Sequence, residues 1–343
     1  MGCWCGTRRE VRRLRGALAG REGRGAGARF LGASILVLGA LLAPVLTGCG
    51  GGQGGSGDDR VEVVATYSIL GDLVENVGGE KIEATTLVGP NGDAHTFEPA
   101  PSDNAELAEA EMVFENGLGF EPWLGDLYGS SGSDAARVAV TYPIEPLTVA
   151  EGEQGHEDDA HEEGHGESDP HVWHDVNNAI VMVKSIRDAL SEAAPGKARA
   201  YRRNAEGYIA DLETLDADVR EKVASILEED RVLLTSHDTF GYFAERYGFE
   251  ADTALPSAST EAGDPSAGQK AELVEKIEKS GVPAVFADNV SDAGLMEEIA
   301  AEAGVKLAPP LYTDALGEPG SEGETYVRMV RYNVATMSEA LQQ

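Results

Sequence analysis

Five of the seven histidines in the 343-residue chain fall in one stretch, "HEDDAHEEGHGESDPHVWHDVNN", from His156 to Asn178. Imidazole is the commonest metal ligand in proteins and suits zinc well. His156, His161 and His165 sit in an acidic, glycine-spaced run without Lys or Arg, whereas His171 and His174 flank a Val-Trp pair just after Asp169-Pro170. The two settings predict two kinds of chemistry. Residues 151–169 hold nine acids, three histidines and four glycines, with no large apolar side chain. Such a segment cannot bury enough surface to offset its ordering entropy, so it is expected to be a disordered loop. Its histidines are spaced for weak, exchangeable collection of a borderline-soft cation, with a plain solvated linker as the alternative.

His95, in "GPNGDAHTFEP", follows an apolar run and a turn cluster, and His237, in "LLTSHDTF", closes another apolar run. In open α/β sheets, ligands bind in the crevice past the carboxyl ends of strands. Taken singly, His95, His171 or His237 reads as a surface or capping residue. Three at equivalent places in a His-poor chain point to one metal. A fourth ligand should be an acid; Asp314, in "PPLYTDAL", is the candidate, although on its own it reads sooner as a helix N-cap. Positions 95, 171, 237 and 314 are 76, 66 and 77 residues apart, two in each half of the chain. A metal held by all four would lie in a cleft between two lobes. A catalytic zinc site keeps three protein ligands and an open water position. Here a fourth donor closes the site, and no HExxH or Ser/Cys nucleophile motif is present, so an enzyme is not expected.

The elements that must position these residues alternate. Strand-like runs at 60–70 (leading into a helix with Gly71-Asp72), 82–88, 112–117, 136–141, 231–236 and 284–289 are separated by helical stretches at 101–111, 177–193, 240–248, 267–280, 295–304 and 324–341. Strand–helix alternation implies parallel, helix-covered sheets. Ser102 or Asp103 is the candidate N-cap of the 101–111 helix, and Asp175 that of the helix after His174. Between residues 197 and 227, Tyr201, Ala205, Tyr208, Leu212, Leu215, Val219, Val223 and Ile226 recur in steps of three and four, one face of a single long helix. About 30 residues at 1.5 Å each would reach roughly 45 Å, the length of a two-lobed protein. The expected organisation is a leader over 1–48, a flexible tether over 49–59, a first α/β lobe over 60–195, a linking helix over 196–228 and a second α/β lobe over 229–343.

The leader is arginine-rich, then apolar for 16 residues from Leu31 to Leu46, then small. That order describes a secretory signal and is short for a spanning helix, which needs about 20 residues; an uncleaved anchor is the alternative. The run after Cys49, "GGGQGGSGDD", has the composition of a flexible tether. Cys3 and Cys5 would leave with the leader, so the remaining chain needs no disulfide. Sixty acidic residues against 27 basic give a net charge of −33. Such a surface repels nucleic acid, which is excluded as a partner, and draws cations toward it.

Two resemblances extend this reading. Leu46-Thr47-Gly48-Cys49 resembles the lipobox of bacterial lipoproteins, in which the cysteine is acylated and anchors the chain to the membrane. The segments "GDAHTFEP" (92–99), "ENGLGFEPWL" (115–124), "DPHVWHD" (169–175), "TSHDTFGYFAERYG" (235–248), Ser259-Thr260-Glu261 and "LYTDAL" (311–316) resemble, in order, the zinc/manganese branch of ABC-transporter solute-binding lipoproteins. The resemblance implies two α/β lobes joined by one rigid helix. It also implies an extracytoplasmic, lipid-anchored monomer that delivers metal to a permease and its ATPase. It assigns His95, His171, His237 and Asp314 as metal ligands, and a His at the third position, rather than Glu, goes with zinc. Three imidazoles and a carboxylate make a four-coordinate site that Zn²⁺ accepts, whereas manganese prefers more oxygen. Mn²⁺ is the alternative cargo, and a metal-dependent adhesin or surface metal buffer the alternative role. Zinc-specific relatives carry a similar His- and acid-rich insertion. His174 departs from the family pattern, which has Leu there; an exposed or supporting residue is favoured over a ligand. Binding needs deprotonated imidazole, so affinity should fall below about pH 6.5.

Overall fold

In the computed structural model, which describes residues 60–148, 168–253, 266–291 and 293–342, the first half is built on β1 (Val61–Tyr67). Its sequence VEVVATY is β-branched and aromatic, and all but Glu62 are buried. A strand covered on both faces reads as a continuous apolar run. β2 (Ile82–Val88), β3 (Met112–Glu115) and β4 (Ala136–Ala139) complete a four-stranded parallel sheet in the order β2-β1-β3-β4. α1 (Ser68–Gly78) follows β1 directly, α2 (Pro101–Glu109) precedes β3, and α3 (Leu124–Ser131) precedes β4. The α2 N-cap is Ala100, not Ser102 or Asp103, because Pro101 takes the first helical position, where a missing N–H costs nothing. Asp103 instead accepts from the Ala100 N–H at 2.7 Å.

The second half repeats the same plan with shorter strands. β5 (Val232–Thr235) pairs in parallel with β6 (Glu250–Thr253), and β7 (Ala284–Val285) with β8 (Lys306–Leu307). A parallel bridge from Thr235 to Phe286 joins the pairs, giving the order β6-β5-β7-β8. The covering helices are α6 (Gly241–Tyr247), α7 (Ala267–Ser280) and α8 (Gly294–Ala303). β6 and β8 escaped the sequence reading because neither carries a period-2 apolar pattern long enough to register.

α4 (Val176–Ala193) starts at Asp175, whose carboxylate accepts from the Asn177 N–H at 2.8 Å. α5 (Ala198–Val223) buries the expected face from Tyr201 to Val223 and packs on α1, α4 and the last helix, α9 (Tyr326–Leu341). At 26 residues it spans about 39 Å, shorter than expected. It stops at Val223 because the Ser225 hydroxyl takes the Lys222 carbonyl and Ile226 N–H bonds back only three residues, to Val223. α9 closes the chain yet packs on α1 of the first half. One apolar core therefore runs through both lobes, from Val61 and Leu73 to Leu233, Phe286 and Met337. Two smaller clusters fill the outer faces, around Leu107 and Leu127 in the first lobe and around Leu273 and Ile277 in the second. Among the described residues no helix is long and apolar enough to cross a membrane.

Candidate metal centre

Connections that leave the carboxyl ends of four strands contribute to one cluster. His95 lies on the loop after β2, His171 on the long connection after β4, His237 two residues past β5, and Asp314 on the loop after β8. His95 Nε2 stands 3.3 Å from His171 Nε2 and 4.0 Å from Asp314 Oδ2. His171 Nε2 is 3.5 Å from Asp314 Oδ1, and His237 Nε2 is 3.1 Å from Asp314 Oδ2. His95, His171 and Asp314 each offer a donor atom within 4.8 Å of the others. His237 joins across the carboxylate, its ring centroid 5.6 Å from that of His171. Asp314 has no exposed surface and starts no helix, which leaves the N-cap alternative without support. Both its oxygens and His237 Nε2 are buried without a hydrogen-bond partner. The 3.1 Å approach of His237 Nε2 to Asp314 Oδ2 is an ion-pair contact that leaves the rest of the carboxylate without a donor.

Two of the rings, those of His171 and His237, are aimed from behind. His171 Nδ1 pairs with Asp169 Oδ1 at 2.8 Å, and the same oxygen accepts the His171 backbone N–H at 2.9 Å. Asp169 is buried and fixed, although the sequence placed it at the end of a disordered loop; Tyr242 Oη donates to its carbonyl at 2.9 Å. His237 Nδ1 pairs with Asp288 Oδ2 at 3.0 Å, and Ser236 Oγ and the Ser291 N–H also donate to Asp288. Carboxylates behind ligating imidazoles fix tautomer and orientation. Asp288 was missed, although an acid at the carboxyl end of "AVFADN" was a usable signal. The His95 loop is held by Trp123 Nε1, which donates to the Ala94 carbonyl at 2.7 Å, and by Asp93, which accepts the His95 N–H. Phe120 packs edge-on against His95 at 4.7 Å. Gly117, Leu118 and Gly119 all take positive φ (83, 58 and 81°) to turn the chain toward Phe120, a conformation glycine adopts freely and leucine rarely.

His174 is neither exposed nor part of the cluster. It is buried, with Nε2 3.2 Å from Thr239 Oγ1 and its ring 4.4 Å from Phe240. Burial pushes its pKa down to about 3, helped by the charges of His171 and His237, so it is neutral. Burial also lowers His95, against the pull of Asp314. Burial disfavours a charged His237 too, but Asp314 and Asp288 outweigh it and raise its pKa well above the usual value. Asp314 pays a burial penalty that His237 and His171 more than offset, holding it far below the usual carboxylate range. The cluster is thus a buried carboxylate facing three imidazoles, a charge pattern that a divalent cation would complement. His156, His161, His165, Cys49, the leader and tether, and Ser259-Thr260-Glu261 lie outside the described residues.

A largely buried cluster of three imidazoles and a carboxylate, between the sheet ends of two α/β lobes, fits a cation-binding protein of the two-lobed type. Residues 63–340 match the family described as zinc-uptake complex component A, periplasmic. The chain is 35% identical over 306 residues to the manganese-binding lipoprotein MntA of Halalkalibacterium halodurans, covering 88% of this chain and 96% of the relative. It is 30% identical to the metal ABC transporter substrate-binding lipoprotein SsaB of Streptococcus sanguinis, covering 91% and 98%. Among solved structures it resembles the periplasmic zinc-binding protein TroA of Treponema pallidum, with a TM-score of 0.73 and 31% identity over 82% of this chain and 99% of that one. The chain belongs to this family, whose members are extracytoplasmic metal-binding components of ABC transporters and not enzymes.

Proposed function

We propose that the protein captures Zn²⁺ outside the cytoplasmic membrane, through His95, His171, His237 and Asp314, and delivers it to an ABC permease and its ATPase. The observation that carries this reading is the set of buried, unpartnered atoms, both Asp314 oxygens and His237 Nε2, facing the Nε2 atoms of His95 and His171. Leaving such groups unsatisfied costs about 1–3 kcal/mol each, which a divalent ion would relieve. Bonds of about 2.0–2.1 Å in a tetrahedral shell put donors roughly 3.3 Å apart. The 3.3 Å between the His95 and His171 Nε2 atoms, and the 3.5 and 3.1 Å from His171 and His237 to the two Asp314 oxygens, are near that spacing, while His95 stands 4.0 Å from the carboxylate and His237 joins only across it. Nitrogen-rich sites also rank zinc far above manganese.

Manganese is the second reading. It is favoured by the free second oxygen of Asp314, which permits a higher coordination number, and by the manganese-binding names of relatives such as MntA. Native mass spectrometry with both ions in equimolar competition separates the two. One retained zinc per chain supports the first reading, retained manganese the second, and neither ion retained sinks both.

Acylation of Cys49 as a membrane anchor is supported by "LTGC" and by the lipoprotein names of relatives. His156, His161 and His165 are read as a weak collecting loop, separate from the tight site.

A further inference from the structure

The loop bearing Asp314 is gripped from both lobes, and one side chain links the grips at the mouth of the site. Asn289 follows Asp288, the carboxylate behind His237. Its Oδ1 accepts the Thr313 N–H at 3.0 Å, and its Nδ2 donates to the Ala315 carbonyl at 3.2 Å, so it holds the backbone on both sides of Asp314. The same Nδ2 donates to Asn91 Oδ1 at 3.0 Å, across 198 residues of chain and into the other lobe. Asn91 lies in the turn that leads to His95, with φ at 55°, and its own N–H donates to the Leu316 carbonyl at 2.8 Å.

Two side-chain bonds that tie this loop to the first lobe are buried. Trp173 Nε1 donates to the Thr313 carbonyl at 2.9 Å, and the Leu316 N–H donates to Ser68 Oγ at 2.9 Å. The Asn91–Asn289 bond is instead exposed, so water can replace it at small cost. It also spans the side on which His95 sits, and His95 is the most accessible of the four candidate ligands, its side chain 19% exposed against 0–7% for the others. Among the four candidate ligands, that side is the most open to solvent.

We infer that Asn91 and Asn289 form a latch between the lobes, and that opening this amide–amide bond is a step in metal release. The inference rests on reading the cluster as a metal centre. Neither residue touches the donor atoms; both act by holding the loops of His95 and Asp314 together.

The test is chelator-driven release of Zn²⁺ from the full chain, followed by stopped flow, with N91G, N289A and the double variant. Glycine accepts the positive φ at position 91 and keeps the backbone bond to Leu316, so N91G removes only the latch. N91G is expected to release zinc about three- to tenfold faster, the effect of losing one net hydrogen bond, with association within about twofold of the parent. The double variant should release no faster than N289A, because the shared bond is already gone. An unchanged unfolding temperature of metal-free N91G separates the latch from general destabilisation, and N91G carries the test alone if N289A fails to fold. Release from N91G within about 1.5-fold of the parent, or a double variant equal to the product of the singles, overturns the latch alone. A parent chain that retains no divalent ion overturns both the latch and the metal centre.

Discussion

At the residue scale the cluster is defined as much by what stands behind the imidazoles as by the imidazoles themselves. Asp169 and Asp288 each hold an Nδ1, at 2.8 and 3.0 Å, and so turn the Nε2 of His171 and His237 toward Asp314. Removing such partners typically weakens metal binding 10- to 100-fold. Asp169→Ala and Asp288→Ala are each expected to lose zinc affinity in that range by calorimetry while keeping one site per chain. Affinity within about threefold of the parent for both would show that the rings are oriented by packing alone. His174 predicts the opposite pattern. It is buried against Phe240 and bonded to Thr239, so His174→Ala should cost stability, about 2–4 kcal/mol by analogy with other large-to-small core changes, and leave metal stoichiometry at one. A lost tight site in a folded His174→Ala protein would make His174 a ligand after all.

At the element scale the three helices α1, α5 and α9 meet on one carboxylate. Asp72 Oδ2 accepts from Tyr208 Oη on α5 at 3.1 Å and from the Tyr326 N–H that opens α9 at 3.2 Å. Burial raises its pKa from 3.8 to about 6, against those two hydrogen bonds. The folded chain therefore holds this proton more tightly than the unfolded chain. Its contribution to stability is full below about pH 4 and is lost as pH rises through about 6, by an amount on the order of 2 kcal/mol. An amide oxygen can receive both bonds without the charge. Asp72→Asn is thus expected to unfold several degrees higher than the parent at pH 8 and at the same temperature at pH 4, in metal-free thermal melts. An equal shift at both pH values would place the effect elsewhere. The same joint explains why α9, late in the chain, is part of the first lobe's packing: Tyr326 Oη also donates to the Trp173 carbonyl at 2.6 Å.

At the scale of the whole molecule, a core continuous through both lobes and a helix of 26 residues packed on α1, α4 and α9 resist wide hinge opening. Metal exchange then depends on loop movements at the mouth. The His-rich stretch, proposed above as a weak collecting loop, can be tested separately. Deleting residues 153–167 is expected to leave the tight site within about tenfold in calorimetry and to abolish additional weak sites. Loss of the tight site on deletion would refute that separation.

Much of this was legible without coordinates because it is local. The three- and four-residue steps from Tyr201 to Val223 mark a helix face wherever the helix packs, and a His two residues past an apolar strand lies at a sheet end in any α/β fold. Asp314 and Asn289 are different. Nothing in the sequence near "LYTDAL" separates a helix cap from a fully buried carboxylate, since the difference is which distant atoms surround it. Asp169 read as the end of a polar loop until its contacts with His171 and Tyr242 were visible. The link from Asn91 to Asn289 spans 198 residues and leaves no periodic trace. Side-chain type and short-range spacing thus determined the elements and named the candidate ligands, because those depend on neighbours in the chain. Only the tertiary structure decided which of them come together and what stands behind the rings of His171 and His237, because these are contacts between segments that meet solely when both lobes have packed.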